Sequence, residues 1–269
     1  MQAPGVPMSD QFITYELDGP VAMIGLNRAS KRNALNLALL EQLDEAALRA
    51  AEEAKVGVIF GHGAHFSAGL DLAELLDRAP GAGGRRRSWR APAFAAIGRG
   101  AIPFVAALQG AVIGGGLEIA AACQLRVADE TAYFALPEAQ RGIFTGGGGS
   151  VRIARLITVA RMQDMMLTGR VVAATEAPAW NLVQYLAAPG AALAKARELA
   201  TRVAENSPAV NFAVSQGLSR IADLPQEDGF FLEWLMAGAT LGADSVDRLR
   251  AFVEKTAPTV RPPGKGEDE

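Results

Sequence analysis

Residues 104–123, FVAALQGAVIGGGLEIAAAC, set the fold class. The segment opens on consecutive apolar residues, Phe104 to Leu108, the pattern of a strand covered on both faces. It turns through Gly110 and the run Gly114-Gly115-Gly116, then continues as small apolar residues to Cys123, broken only by Glu118. A strand, a glycine corner and a helix of small residues form a crossover unit, and such units build parallel sheets.

The same alternation extends outward. Residues 12–17 and 21–26 read as strands joined at the turn dipeptide Asp18-Gly19. Between Asn36 and Ala54, apolar residues recur at helical spacing (Leu39, Leu40, Leu43, Ala47, Ala50), with Asn36 available as the cap. Residues 56–60 read as a buried strand, 61–69 as a glycine-broken loop and 71–78 as a short helix. Residues 79–88, with Pro80 and Arg85-Arg86-Arg87, read as a charged surface loop, and 89–98 as a helix. Residues 125–128 and 133–136 are short strands. After Ser150 helical spacing dominates: 151–156, 160–167, 191–204, 208–222, 227–241 and 245–255. The expected class is α/β, with a core over 11–190, a helical region over 191–258, and loose tails at 1–10 and 259–269.

Composition narrows the function. Among 269 residues, 26 Lys and Arg stand against 29 Asp and Glu, a formal net charge of -3. That balance argues against nucleic acid or an anionic membrane surface as partner. One cysteine, Cys123, cannot close an intrachain disulfide, and with only His62 and His65 no metal site is expected. No apolar run has the length of a membrane span. Residues 1–10 show no basic stretch followed by an apolar one, so no signal peptide and a cytoplasmic location are expected.

Three glycine segments carry the candidate chemistry: 65–72 (HFSAGLDL), 114–118 (GGGLE), and Pro137-Glu138 with Gly142 and Gly146 to Gly149 after it. None continues as the Gly-Lys-Ser/Thr of a phosphate loop. A glycine corner between strand and helix leaves a backbone N–H uncovered, and a helix start adds partial positive charge. Two such groups aimed at one point make an oxyanion hole; Ala68 and Gly115 are the expected donors. Glu118 follows Gly115 by three residues and so shares its helix face. Asp71 suits a helix cap, Cys123 a buried inert position, and His62 and His65 turn or surface roles. Phe94, Phe230, Phe231, Trp89 and Trp234 read as core or subunit contacts.

Taken together, Leu26-Asn27-Arg28 with Asn33-Ala34-Leu35, the segments 66–72 and 114–118 with Cys123 and Ala128, the Pro137-Glu138 block, and Phe252-Val253-Glu254-Lys255 resemble the crotonase superfamily, the enoyl-CoA hydratase and isomerase family. The blocks run in order over nearly the whole chain. The resemblance implies a crotonase-like spiral of ββα units, a helical C-terminal trimerisation region, and a homotrimer or dimer of trimers. It implies an acyl-CoA thioester as substrate, held by its carbonyl between the N–H groups of Ala68 and Gly115. Glu118 and Glu138 match the family glutamates that handle water. Lys31, Arg32, Ala68, Gly69, Leu70, Asp71 and Gly115 would line the substrate, and Lys255 its adenine end. No separate cofactor is implied, because coenzyme A belongs to the substrate. Hydration of a 2-enoyl-CoA is the leading expectation. Isomerase, hydrolase or lyase chemistry on the same scaffold, or acyl-CoA binding without catalysis, are the alternatives. The chain departs from the family at Ala139-Gln140-Arg141 and at Thr145, where proline is common.

Overall fold

The computed structural model describes residues 11–77 and 92–257. The Arg85–Arg87 loop, Trp89 and both expected tails lie outside the described residues. In chain order the strands are β1 (Ile13–Asp18), β2 (Val21–Leu26), β3 (Val56–Gly61), β4 (Phe104–Leu108), β5 (Ala111–Ile113), β6 (Leu125–Asp129), β7 (Tyr133–Ala135), β8 (Val172–Ala173) and β9 (Tyr185–Ala187). The helices are α1 (Leu37–Glu53), α2 (Leu72–Asp77), α3 (Pro92–Arg99), α4 (Gly115–Ala122), α5 (Gly149–Ile157), α6 (Val159–Thr168), α7 (Ala192–Ala204), α8 (Pro208–Ile221), α9 (Gln226–Thr240) and α10 (Ala243–Val253).

A six-stranded sheet runs β1-β2-β3-β4-β6-β9, and a three-stranded sheet runs β5-β7-β8. β1 and β2 form the expected antiparallel hairpin; β2 to β3, β3 to β4, β4 to β6 and β6 to β9 are all parallel. Side chains alternate across each strand. Val56, Val58, Val105, Ala107 and Val127 point to one face, where α7 covers them with Ala192, Ala196, Leu199 and Ala200. Ile59, Phe104, Ala106 and Leu108 point to the other, into the main core with Leu39, Leu43 and Ala47 of α1. Cover on both faces explains the uninterrupted apolar run of β4. Asn36 caps α1 as read from the sequence, accepting the Leu39 N–H at 2.9 Å.

The structure adds three short strands to the sequence reading. Strands β5, β8 and β9 are absent from that reading; each is two or three residues long, too short for alternation to show. The chain divides into two compact units after Glu205, and α7, packed on the β2–β3–β4–β6 face, belongs to the first. The second unit begins at Asn206 and contains α8, α9 and α10. Its aromatic residues Phe230, Phe231 and Trp234 are exposed, Trp234 at 69%. No helix among the described residues is long and apolar enough to cross a membrane.

Candidate active site

The loop after β3 is laid along β5 like a short extra strand. Ser67 donates its N–H to Ala111 and accepts from Ile113, and Leu35 pairs with Leu70 through bonds to Gly69 and Asp71. Gly69 takes a φ of +88°, and a Cβ there would sit 2.8 Å from the Ile113 carbonyl oxygen, so only glycine lets the loop lie this close. After β5 the chain turns at Gly114, with φ +52°, and starts α4. Gly115 thereby faces Leu70: a Cβ on Gly115 would lie 3.5 Å from the Leu70 side chain.

One of the two expected donors is engaged elsewhere in this geometry. The Ala68 N–H is already committed to the Arg32 carbonyl at 2.9 Å. Gly69 donates to the Ser67 hydroxyl and Asp71 to the Leu35 carbonyl. Leu70 is left with an N–H that meets no acceptor among the described residues, beside the first-turn N–H of Gly115, which α4 cannot satisfy internally. Sequence pattern alone points to the glycine-flanked Ala68; the signal for Leu70 is tertiary, since it depends on which carbonyls the loop meets.

Glu118 and Glu138 come together at the same place. Glu118 is 3% exposed on α4, and its Oε1 accepts the N–H groups of Gly147 and Gly149, each at 2.8 Å, from the start of α5. Burial raises its carboxyl above the ordinary range, opposed by those N–H groups and by the Arg152 guanidinium. Glu138 is 6% exposed, just before a one-turn helix over Ala139–Arg141, and its Oε2 is buried without a partner among the described residues. Burial raises this carboxyl too, the charge of Glu118 adds to the rise, and Arg141 opposes it. The departures from the family pattern therefore sit beside Glu138: Arg141 bears on its charge, and the Thr145 hydroxyl is a second buried oxygen without a partner.

A cavity of about 210 Å³ opens beside Glu118. Leu70, Leu75, Phe94, Ile143, Phe144, Gly146 and Gly147 wall it, with Glu118 the single ionisable side chain on the wall among the described residues. Phe94 is thus both core and wall. Lys31 and Arg32 are exposed on the turn before Asn33. Lys255 follows α10 in the second unit, with a φ of +58°. His62 bonds the Thr14 hydroxyl at 2.8 Å, and His65 Nδ1 accepts the Ala111 N–H at 3.1 Å, so both serve the framework. Cys123 is buried, its thiol pushed up to about 12 by burial.

Asp71 caps α2 as expected, accepting the Ala73 N–H at 3.2 Å. It has a further role that spacing does not reveal. Arg28 reaches across from the second residue after β2 and donates to Asp71 Oδ2 at 2.6 Å and to the Ala34 carbonyl at 3.0 Å. The pair latches the residue next to Leu70. The Arg28 hydrogen bond holds the Asp71 carboxyl below its ordinary range. A depressed carboxylate contributes stability that is present above the unfolded-state value and is lost as pH falls through the folded-state one. Asp71→Asn is therefore expected to cost about 1 kcal/mol at neutral pH. In urea unfolding the gap to wild type should narrow as the pH drops below about 4; a gap independent of pH would contradict the ion pair.

Known proteins resemble this chain over nearly its full length. The enoyl-CoA hydratase/isomerase family model matches residues 16–261. A crystal structure of a Rhodopseudomonas palustris protein assigned as an enoyl-CoA hydratase superposes with a TM-score of 0.83 at 46% identity, over 92% of this chain and 96% of that one. Enoyl-CoA hydratase EchA19 of Mycobacterium tuberculosis is 30% identical over 249 residues, covering 90% of this chain and 94% of its own. The 2,3-dehydroadipyl-CoA hydratase of Escherichia coli is 33% identical over 243 residues, covering 88% and 94%. With a glycine-built corner, a paired set of buried glutamates and a family match spanning nearly its full length, the chain belongs to the enoyl-CoA hydratase/isomerase family of the crotonase superfamily.

Proposed function

We propose that the protein adds water reversibly across the double bond of a 2-enoyl-CoA thioester. The observation that carries this reading is the pair of buried carboxyls, Glu118 and Glu138, in unlike surroundings near two N–H groups that meet no acceptor among the described residues. The N–H groups of Leu70 and Gly115 receive the thioester oxygen and stabilise the charge it gains as an enolate. Glu118, held by two N–H groups and facing a guanidinium, is the carboxylate and takes a proton from water. Glu138, with a bare oxygen and the Glu118 charge against it, is the carboxylic acid. The water oxygen bonds to the β-carbon, the π electrons pass to the thioester, and the enolate collapses as the α-carbon takes the Glu138 proton. Exchange with solvent then returns the two carboxyls to their starting states.

The apolar wall formed by Leu75, Phe94, Ile143 and Phe144 suits an apolar acyl chain. Lys31, Arg32 and Lys255 remain the proposed contacts for the coenzyme A end. The exposed face of Phe230, Phe231 and Trp234 supports self-association, as the homotrimer or dimer of trimers implied by the resemblance. A second reading has one supporting observation. Glu118 stands on the cavity wall and Glu138 does not, which suits double-bond isomerisation by one base. The test is loss of the conjugated thioester absorbance of crotonyl-CoA, followed by product analysis. Turnover to a 3-hydroxyacyl-CoA is expected. Inertness toward 2-enoyl-CoA combined with conversion of a 3-enoyl-CoA would overturn hydration in favour of isomerisation.

A further inference from the structure

We propose that Arg152 is a positioning residue for Glu118, clamping the glycine loop that orients the carboxylate to the helix forming another wall of the acyl cavity. The proposal rests on the reading of Glu118 as the base. Arg152 lies on α5, and Nη1 donates to the Gly147 carbonyl at 2.9 Å. Gly147 is the residue whose N–H holds Glu118 Oε1. Nη2 of the same guanidinium donates to the Phe94 carbonyl on α3 at 3.0 Å. The planar fork of arginine spans two acceptors at once, which an ammonium cannot reproduce.

The surroundings are built around this side chain. Gly98 sits inside α3, where glycine weakens a helix. A Cβ there would lie 2.9 Å from Nη2 and 3.1 Å from Nε of Arg152. A Cβ on Gly148 would collide with Nη1. Two glycines thus leave the space that the guanidinium fills.

Charge favours the same role. Around Glu118, the facing groups are Glu138 from the turn after β7 and Arg152 from α5. Arg99, at the end of α3, faces Arg152. Cys123, at the end of α4, faces Arg152 and Arg126, and its thiol is neutral at physiological pH. Arg152 is the one cation acting on Glu118 among the described residues. It favours the ionised form that a base needs.

The test uses the full chain and two readouts. The first is infrared difference spectroscopy of the protonated carboxyl stretch, wild type against Glu118→Gln, which titrates Glu118 without any substrate. The second is the pH profile of kcat and kcat/KM for crotonyl-CoA. Arg152→Met is expected to move the Glu118 midpoint up, carry the acid limb of kcat/KM with it, and lower kcat about tenfold with little change in KM. Arg152→Lys should restore the midpoint but not kcat. If Arg152→Met does not fold, Gly98→Ala, which displaces the guanidinium without removing it, should raise the midpoint in the same direction. An unchanged Glu118 midpoint in a folded Arg152→Met or Gly98→Ala protein would overturn the proposal. A wild type that titrates as expected but never turns over a 2-enoyl-CoA would instead overturn the hydratase reading and leave the clamp supported.

Discussion

Glu118→Gln and Glu138→Gln are each expected to lower kcat for crotonyl-CoA hydration by about 10²–10⁴-fold, while raising the melting temperature. The loss follows from the hydration proposed above: an amide would neither accept the water proton nor deliver one to the α-carbon. The gain follows from burial. Both carboxyls are raised above their ordinary range by desolvation. A raised carboxyl contributes stability that is fully present below the unfolded-state value and is lost as pH rises through the folded-state one. At neutral pH each glutamate therefore costs the fold something, and the neutral isostere removes that cost. In Glu118→Gln the new amide keeps an oxygen for the Gly147 and Gly149 N–H groups that Glu118 engages. Thermal unfolding and steady-state kinetics on the same preparations check both halves. A variant with full turnover would remove that glutamate from the mechanism, and retention of activity in Glu138→Gln alone would favour the one-base isomerase. Because the two groups interact, the pH profile of kcat/KM should be bell-shaped and report the pair, not either residue.

Removing the N–H of residue 70 is expected to lower kcat by about 10²–10³-fold, the cost typical of one oxyanion donor. A backbone donor escapes ordinary mutagenesis. Substituting the α-hydroxy acid analogue of leucine at position 70 replaces the N–H by an ester oxygen and keeps the side chain on the cavity wall. The same replacement at position 68 is the control. There the N–H serves the Arg32 carbonyl, so its loss should reduce stability and leave kcat near wild type. The opposite pattern, a kcat loss at 68 and none at 70, would return the hole to Ala68 and Gly115. KM is expected to change less than kcat at 70, because the donor acts most strongly on the charge of the enolate.

Much of this molecule is legible in its sequence. The apolar run Phe104 to Leu108 and the capped, periodic α1 can be read directly, because their signals are local: burial on two faces, a 3.6-residue period, an asparagine side chain within reach of an N–H three residues on. Gly115 and Glu118 are legible for the same reason, since one helix turn fixes their shared face. The illegible parts are short or shared. Strands of two or three residues carry no period. Helix α7 reads as part of the C-terminal region because its alanine stripe does not announce which sheet it will cover.

The amino-acid order thus settles the class of fold, the residue types of the site and the spacing that puts Gly115 and Glu118 on one turn of α4. Packing alone settles that the N–H of Leu70, not that of Ala68, is without an acceptor among the described residues, that Arg28 latches Asp71, and that Arg152 joins the glycine loop to α3. One cause underlies all three. A local signal records what a residue prefers within one turn or one strand. Which donor remains unsatisfied depends on carbonyls brought from distant parts of the chain, and those meet only when the layers pack.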